Sequence, residues 1–509
     1  MKTALILLFF SAFQLMASQE NPIGIFQYNR DIGNPKLAGD AAYDTISQTY
    51  TIQGAGYNIW GQRDEHRYLY NKVQGDFIAT ANFRLEGIND IHRKIGWMAR
   101  ASEADNSVMV GGFLHGDGLM AGQWRTSTAA NMHTPQDDVW AQKRYFGIIQ
   151  LERQGNLFMV RAAHKGEPLQ HISSKILENM PAEVLLGIVI GSHDENVKET
   201  ATVWNVRIDQ PVADSYDPYN QGWIGCRLET MNVFTGKRKI IYDRNDRFEA
   251  PNWMPDGKEL LFNMDGSLFT IPVNGGKPKK LDTGRADDLN NDHCISFDGK
   301  MLGISHNDGK GSNIFVLPLS GGDPVPITDQ APSYLHGWAP NNKELVYVAQ
   351  REDGPNYNIY KKAIGDKRET KLTDTKKWEH VDGCEYSPDG KYIYYNGSIN
   401  GGTMQLWRMK PDGSDKEQLT FDAYNDWFPH ISPDGKWIAF ISFEPDIELN
   451  SHPSHKRVML RLMPVGGGAP RVLAHLYGGQ GTLNVNSWSP DSKQISFVSN
   501  SATLDYATK

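Results

Sequence analysis

Four histidines stand at corresponding places in the second half of the chain, and acidic residues accompany them. His293, His336, His380 and His430 each lie shortly before a turn whose consensus is Ser-Pro-Asp-Gly-Lys. Imidazole and carboxylate groups bind divalent metals, and they also exchange protons near neutral pH. The residue types therefore predict either a metal site or an acid–base site. A third interpretation, in which each histidine only bonds to a neighbouring structural unit, stays open.

Two sets of residues follow from this pattern. His293, His336 and His380 are predicted to hold a divalent cation, which would be Mn, Zn or Ca. Three ligands are favoured over four, because side chains alternate along a strand and His430 is offset by one position from His293. The predicted substrate-binding residues, which precede the same turns, are Glu249, Asp292, Asp382, Glu385, Asp426 and Trp427.

The turn that follows these residues occurs six times. The copies are Trp253-Met-Pro-Asp-Gly-Lys258, Ile295-Ser-Phe-Asp-Gly-Lys300, Trp338-Ala-Pro-Asn-Asn-Lys343, Tyr386-Ser-Pro-Asp-Gly-Lys391, Ile431-Ser-Pro-Asp-Gly-Lys436 and Trp488-Ser-Pro-Asp-Ser-Lys493. A β-hairpin repeated every roughly 40 to 45 residues indicates a β-propeller with one blade per repeat. The segments before the turns would then begin the inner strands, at one end of a central channel.

The two ends of the repeat region complement each other. Two strand-like segments, Trp223–Glu229 and Lys239–Tyr242, precede the first turn, and a single one, Gln494–Ser499, follows the last. Pairing the first strands with the last would complete one blade and remove two exposed sheet edges. We therefore predict a six-bladed propeller over residues 220–509, closed by this shared blade. Its longest loop, Phe443–Arg457, would lie at the same channel end as the histidines.

Residues 22–210 lack the turn but contain many segments in which apolar and polar residues alternate. Lys94–Arg100, Tyr145–Leu151 and Ala201–Arg207 are examples. Alternation of this kind is typical of strands with one buried face, and it predicts an antiparallel sandwich. The segments Gly56-Tyr-Asn-Ile-Trp60 and Gly187-Ile-Val-Ile-Gly-Ser-His193 resemble concanavalin A-like jelly rolls. The expected fold class is all-β, with a jelly roll before the propeller.

The Ser-Pro-Asp-Gly hairpins resemble those of TolB-type propellers and, more distantly, those of oligogalacturonate lyases. The TolB resemblance implies a scaffold without enzymatic activity that captures a periplasmic protein partner. The lyase resemblance implies a metal-assisted elimination on an acidic oligosaccharide. In that reaction His430 and His380 would act as acid or base, and Arg351 or Arg457 would bind the substrate carboxylate.

The first residues have the form of a secretory signal peptide, residues 1–18. Lys2 precedes an apolar run from Ala4 to Phe13, and small residues follow at Ala17. The mature protein is expected in the periplasm or outside the cell, without a membrane span. Residues 211–219 are the expected linker between the domains.

The amino-acid composition restricts the classes of partner that the protein can bind. The formal net charge is −8 without basic runs, which argues against nucleic acid as a partner. The three cysteines are too few for a disulfide framework. The jelly-roll and lyase resemblances imply an exported protein that binds oligosaccharide in the propeller channel and through a lectin-like domain, with lyase-type or hydrolytic cleavage. The alternative is the protein-binding scaffold.

Overall fold

The computed structural model describes residues 20–133, 139–140, 145–352 and 354–502. This part of the chain is almost entirely β-structure, and its helices are a four-residue helix, α1 (Pro218–Gln221), and a 3-10 turn at Ile399–Gly401. The predicted all-β class is therefore confirmed. None of the described helices is long or apolar enough to span a membrane. The predicted signal peptide, residues 1–18, lies outside the described residues.

The N-terminal strands form two seven-stranded antiparallel sheets and one short hairpin. In chain order the strands are β1 (Tyr28–Ile32), β2 (Asp40–Asp44), β3 (Thr49–Gly56), β4 (Ile59–Trp60), β5 (Arg63–Asp64), β6 (His66–Gln74), β7 (Phe77–Leu85), β8 (Lys94–Arg100), β9 (Met109–His115), β10 (Leu119–Arg125), β11 (Val139–Trp140), β12 (Ile148–Gln154), β13 (Leu157–Ala163), β14 (Gln170–Ile176), β15 (Glu183–Gly191) and β16 (Asp194–Asp209). The first sheet has the order β1-β6-β15-β8-β9-β10-β11, and the second has the order β14-β13-β12-β7-β16-β3-β2.

The two sheets enclose one hydrophobic core. Trp97 of β8 lies at its centre. Its ring is tilted relative to that of Phe26 and meets that of Phe83 edge-on. The outer face of the first sheet carries a second buried hydrophobic cluster, which includes Tyr68 and Met98. Every residue of β8 is therefore buried. The outer face of the second sheet packs against the C-terminal part, and Arg207 of β16 contributes to that interface.

The C-terminal strands form five four-stranded sheets and one three-stranded sheet in the described residues. In chain order the strands are β17 (Cys226–Asn232), β18 (Arg238–Arg244), β19 (Phe248–Trp253), β20 (Glu259–Met264), β21 (Ser267–Pro272), β22 (Lys279–Lys280), β23 (Leu289–Ile295), β24 (Met301–Asn307), β25 (Ser312–Pro318), β26 (Val325–Pro326), β27 (Ser333–Trp338), β28 (Glu344–Arg351), β29 (Gly354–Ala363), β30 (Thr370–Lys371), β31 (Val381–Tyr386), β32 (Ile393–Gly397), β33 (Gln405–Met409), β34 (Glu417–Gln418), β35 (Asn425–Ile431), β36 (Trp437–Phe443), β37 (Lys456–Pro464), β38 (Arg471–Gly478) and β39 (Gln494–Asn500).

The three-stranded sheet joins the beginning and the end of this region. It has the order β18-β17-β39, and Leu228 of β17 faces Val498 of β39 in the antiparallel register. The other sheets each consist of four consecutive strands, from β19-β20-β21-β22 to β35-β36-β37-β38. Their first strands are neighbours of one another, and β19 also contacts β39. The sheets thus follow one another around a common channel.

Hydrogen bonds explain why the turn sequence recurs. Ser387 Oγ donates to Asp389 Oδ1 at 2.8 Å, and the backbone N–H of Lys391 donates to the same oxygen at 3.1 Å. Gly390 has a φ of 69°, a conformation that glycine adopts without a Cβ clash. The serine–aspartate bond is repeated at Ser296, Ser432 and Ser489.

The first strands of the four-stranded sheets contain register shifts. One shift lies between Leu335 and Gly337 of β27, and another lies between Asp382 and Glu385 of β31. A bulge re-aims the side chains on one strand relative to its partner. The direction of each polar side chain at the channel is therefore set by its bulge as well as by strand alternation.

Buried ion pairs join the two parts of the chain. Glu229 of β17 is fully buried, and it accepts hydrogen bonds from Arg207 at 2.6 Å and Arg238 at 2.6 Å. Burial opposes ionisation, but the two guanidinium groups outweigh it and lower the pKa of Glu229. The predicted linker, residues 211–219, runs along this contact, and the Val212 N–H donates to the hydroxyl of Tyr477 at 2.9 Å. Its last residues belong to α1.

Candidate functional site

A cavity of about 450 Å³ opens at the channel end where the first strands begin. Its walls come mainly from the first strands of four consecutive sheets, β23, β27, β31 and β35, and also from β28, β29 and nearby loops. The lining residues are Arg247, Asn290, Asn291, Asp292, Tyr334, His336, Val348, Tyr357, His380, Asp382, Phe428, Asn450, His452, Gln480 and Asn484. We call this cavity the propeller pocket.

Asp382 is the centre of the charged groups in the propeller pocket. Its Oδ1 lies 2.8 Å from His336 Nε2, and its Oδ2 lies 3.8 Å from both His380 Nε2 and His452 Nε2. Burial opposes the charged form of His336, but Asp382 outweighs that effect and raises the pKa of the imidazole. The same pairing holds the pKa of Asp382 well below its ordinary value. His336 and Asp382 therefore form a pair in which each group stabilises the charged form of the other.

Asp292 is the second carboxyl group of the propeller pocket. Burial raises its pKa to about 6, against the opposing influence of His336. The Nδ2 group of Asn290 donates to Asp292 Oδ2 at 2.9 Å. A carboxyl group with a pKa near 6 can both accept and release a proton at neutral pH, which is what general acid–base catalysis requires. The pocket thus holds an acid–base carboxyl group together with a histidine whose protonated form Asp382 stabilises.

Aromatic rings form part of the same walls. Tyr334 and Tyr357 lie with ring centroids 6.1 Å apart, and Phe428 lies 6.2 Å from the ring of His336. Burial raises the pKa of Tyr334 to about 12, so its hydroxyl keeps its proton. Phe428 has a φ of 54°, which is uncommon for a bulky side chain and marks the bulge that turns its ring into the pocket.

The long loop after β36 supplies one wall. It brings Asn450 and His452 to the propeller pocket, where the His452 ring lies 4.5 Å from Trp427 and 5.3 Å from Phe428. Burial lowers the pKa of His452. The sequence prediction did not assign a role to His452. The sequence feature that indicates this residue is its position in the longest insertion of the repeat region.

Comparisons with known proteins agree with this architecture. No family model matches the chain. The uncharacterized protein Atu1656 of Agrobacterium fabrum is 42% identical over 279 residues, which are 54% of this chain and 93% of that protein. The chain belongs to the family of Atu1656.

A solved structure from Agrobacterium tumefaciens, described as a TolB candidate, is 41% identical and has a TM-score of 0.51. The match covers 54% of this chain and 98% of that structure. The Tol-Pal system protein TolB of Francisella tularensis is 23% identical over 243 residues, which are 46% of this chain. The chain spans about half the length of that relative, 51%. The predicted TolB-like propeller fold is thereby confirmed.

Four of the predicted site residues line the propeller pocket of this TolB-like protein. They are Asp292, His336, His380 and Asp382, which lie on or just before the first strands of three neighbouring sheets. The His380 ring also packs against Tyr357 and Trp427, at centroid distances of 5.9 and 5.7 Å. These contacts fix the imidazole at the pocket wall.

His430 and Glu385 lie deeper in the channel and bind each other. His430 Nδ1 is 2.7 Å from Glu385 Oε2, and His430 Nε2 is 3.0 Å from the carbonyl oxygen of Leu483. Asn486 Nδ2 donates to Glu385 Oε1 at 2.6 Å. Both ring nitrogens of His430 are thus occupied, so the structure does not support its predicted catalytic role. Glu385 likewise joins neighbouring sheets rather than lining the pocket.

The two arginines predicted to bind the substrate carboxylate lie outside the propeller pocket. Arg351 is paired with Glu369, whose Oε1 and Oε2 accept its hydrogen bonds at 2.5 and 2.9 Å. Arg457 is paired with Glu152 of the N-terminal part. Arg247 is instead the arginine that lines the pocket, a residue that the sequence prediction did not name. Its guanidinium group is held by Glu249, 2.9 Å away.

The remaining predicted substrate-binding residues support the walls from behind. Glu249 is buried, and burial raises its pKa although Arg247 opposes this. Asp426 is also buried, where it accepts a hydrogen bond from Ser442 Oγ at 2.7 Å and lies 3.1 Å from Arg461. Trp427 is fully buried against His452, so no face of its ring is free to stack on a ligand.

The predicted metal set is not assembled. His293 does not line the propeller pocket with His336 and His380, and its ring is buried without a side-chain partner in the described part of the chain. Burial lowers the pKa of His293 to about 4. Across the residues that the structure describes, no group of three His, Cys, Asp or Glu side chains is placed to hold a metal ion. The residues present therefore do not fit the predicted Mn, Zn or Ca site.

Proposed function

We propose that the propeller pocket binds an acidic oligosaccharide and cleaves it by acid–base elimination. The observation that carries this proposal is Asp292, a buried carboxyl group with a pKa of about 6, in the same cavity as the His336–Asp382 pair. Perturbed groups of opposite function in one cavity are a common feature of catalytic sites. The proposal applies to the chain as an exported, periplasmic protein.

The walls of the propeller pocket suit a sugar. Tyr334, Tyr357 and Phe428 supply aromatic surface for the apolar face of a sugar ring. Side-chain amides at Asn290, Asn450, Gln480 and Asn484 supply donors and acceptors for hydroxyl groups. Arg247, anchored by Glu249, supplies the cation that would bind a uronate carboxylate. This combination favours a uronic acid residue over a neutral sugar.

The proposed reaction uses two residues for proton transfer. Ionised Asp292 removes the proton from the carbon next to the uronate carboxylate, and the electron pair forms a carbon–carbon double bond. The glycosidic carbon–oxygen bond breaks at the same time, and the His336 imidazolium donates its proton to the leaving oxygen. Asp382 keeps His336 protonated through the 2.8 Å contact. Arg247 withdraws charge from the carboxylate and makes the carbon acid stronger.

The finer description of the fold belongs to the same proposal. We assign residues 22–210 to a concanavalin A-like jelly roll and residues 220–509 to a six-bladed propeller, with residues 1–18 as a signal peptide. The two seven-stranded sheets and the pairing of β17 with β39 support this assignment. In this description the jelly roll is the accessory lectin-like domain.

Turnover of trigalacturonate tests the proposed activity. The unsaturated product absorbs ultraviolet light, whereas a hydrolytic product adds only a reducing end. We expect an absorbing product from the wild-type chain, and a loss of about 10² to 10⁴-fold in Asp292→Asn and in His336→Gln. Glu448→Ala, an exposed residue outside the pocket, is the matched control. A product with a new reducing end but no ultraviolet absorbance would show that the reaction is hydrolysis and not elimination. Absence of any product would overturn the proposed activity.

A second candidate function is a scaffold for a protein partner. The observation that favours it is the similarity to the Tol-Pal system protein TolB. The opposite channel end also offers an apolar cavity of about 420 Å³, lined by Trp253, Trp338 and Trp488 and by prolines of the turns. A scaffold predicts co-purification of one defined periplasmic protein that is lost in Phe297→Asp, at the exposed rim of that cavity. If the propeller pocket is an enzyme site as well, trigalacturonate turnover in that variant should equal that of the wild type.

A further inference from the structure

A second large cavity lies between the two parts of the chain. It has a volume of about 530 Å³, and the outer face of β7, β12 and β13 forms one wall. Strands β37 and β38 and the loop after β36 form the other wall. Clefts between domains are common places for ligands, because two surfaces can supply polar groups to one molecule. We call this cavity the interdomain cavity.

A buried hydrogen-bond network forms the floor of the interdomain cavity. Glu152 of β12 is fully buried and pairs with Arg161 of β13 and with Arg457 of β37. Gln150 joins the network, since its Oε1 accepts from Arg161 Nη1 at 3.1 Å and its Nε2 donates to Thr80 Oγ1 at 3.0 Å. Both parts of the chain thus contribute to one preorganised polar surface.

Other polar groups on the same walls have capacity to bind a ligand. The Nε2 atom of His475 is buried and has no hydrogen-bond partner among the described residues. Burial lowers the pKa of His475 to about 4, so the ring is neutral at pH 7. Glu444 and Asp446 line the cavity from the loop after β36, and Gln154 lines it from the end of β12. The Nε2 group of Gln154 donates to Glu152 Oε1 at 2.8 Å. The cavity therefore offers both donors and acceptors.

The charges of the interdomain cavity nearly cancel. Arg161 and Arg457 are offset by Glu152 and by the two loop carboxylates, Glu444 and Asp446. The remaining carboxylate of the lining, Asp209, is paired with Arg227. A strongly anionic ligand would meet these carboxylates, and a strongly cationic one would meet the guanidinium groups. A neutral ligand that carries many hydroxyl groups can satisfy amide, carboxylate and guanidinium groups without that cost.

We propose that the interdomain cavity is a second ligand site, which binds a neutral oligosaccharide. This site does not depend on the proposed binding of an acidic sugar in the propeller pocket, where Arg247 would bind the carboxylate. It is nevertheless connected to that pocket, because the loop between Glu444 and Arg457 also carries His452. A ligand held by the two ends of this loop contacts the same segment that forms the wall of the propeller pocket.

Calorimetric titration of the full chain with cellotriose, xylotriose and maltotriose tests this proposal. We expect at least one of them to bind with one-to-one stoichiometry. A Gln154→Ala/Asp446→Ala double variant should weaken that binding at least tenfold, because it removes hydrogen-bonding groups from both walls. Glu448→Ala, in the same loop but outside both cavities, is the matched control and should bind as the wild type does.

A propeller-pocket variant separates this site from the proposed activity. Arg247→Ala should abolish trigalacturonate binding and leave neutral trisaccharide binding unchanged. Absence of binding by all three neutral sugars at millimolar concentration would overturn the interdomain site. Binding that the double variant leaves unchanged, or that Arg247→Ala abolishes, would also overturn it. The proposal for the propeller pocket would not be affected by an absence of neutral-sugar binding. It would also not be affected by neutral-sugar binding that the double variant leaves unchanged.

Discussion

His336 Nε2 and Asp382 Oδ1 lie 2.8 Å apart, although the two residues come from the first strands of neighbouring sheets. The contact stabilises the protonated form of His336, which lines the propeller pocket together with Asp292. It also depends on the bulges in β27 and β31, which lie next to these two residues. The proposed chemistry is therefore a product of the way in which neighbouring sheets meet.

The pH profile of turnover should be bell-shaped. Asp292 must be ionised, so the rate should rise through pH 6, the pKa of its carboxyl group. His336 must be protonated, and its raised pKa places the falling limb above pH 6.5. In Asp382→Asn the burial of His336 is no longer offset, so the falling limb should move to lower pH. An unchanged falling limb in the variant would show that His336 is not the acid.

Asp292 should reduce the stability of the fold at neutral pH. Its pKa is raised from 3.8 to about 6, so the folded state binds the proton more tightly than the unfolded state does. The associated stability is fully present below pH 3.8 and is lost as the pH rises through 6. Asp292→Asn should therefore raise the free energy of unfolding at pH 8 by up to about 3 kcal/mol. Denaturant titrations at pH 4 and pH 8 measure this, and an equal effect at both pH values would contradict it.

The buried Glu229 network should matter far more than a surface ion pair. Glu229→Gln weakens the interaction with two buried guanidinium groups. Breaking a buried ion pair of this kind lowers the free energy of unfolding by about 3 to 5 kcal/mol. Glu417→Gln is the matched control, because Glu417 pairs with Arg408 at the surface and should cost at most about 1 kcal/mol. Urea unfolding of both variants gives the comparison. Similar losses would show that the interface network is not an important source of stability.

The indole of Trp338 connects adjacent sheets. Its Nε1 donates to the carbonyl oxygen of Cys294 at 2.9 Å. In the same way, the Nε1 of Trp488 donates to the backbone carbonyl oxygen of His430 at 3.0 Å. Trp253 holds the equivalent place in its repeat, but its Nε1 has no partner in the described residues. Trp338→Phe should therefore cost about 1 to 3 kcal/mol more than Trp253→Phe, because it leaves a buried carbonyl group unpaired. Thermal unfolding of the two variants tests this difference.

The repeated features of the fold could be predicted from the sequence. Four of the six turns carry the serine–aspartate bond seen between Ser387 and Asp389. In the other two turns the lysine N–H donates to Asp256 or Asn341, so each copy has a local physical cause. The predicted strand Lys94–Arg100 has the same bounds as β8. The segment predicted from Tyr145 begins as a strand only at Ile148, where pairing with β7 starts. Local patterns thus predict strands well and their ends less well.

The site could be predicted only in part, because bulges and loops decide which side chains enter it. His336 and Asp382 were predicted as site residues, and they meet in the propeller pocket. His430 lies beyond the bulge in β35 and turns toward Glu385 instead. His452 reaches the pocket through a loop whose path depends on contacts with Trp427 that no local pattern contains. Arg457 was assigned to the propeller, yet its partner Glu152 is about 300 residues away in sequence.

The binding of trigalacturonate to the folded Asp292→Asn protein tests the central claim most directly. This variant removes the proposed base and keeps Arg247, so the ligand can be titrated without turnover. Calorimetry should show one binding site, and adding Arg247→Ala should abolish the binding while circular dichroism confirms that the chain is folded. No binding to Asp292→Asn, or binding that Arg247→Ala does not change, would contradict the assignment of the propeller pocket to an acidic oligosaccharide.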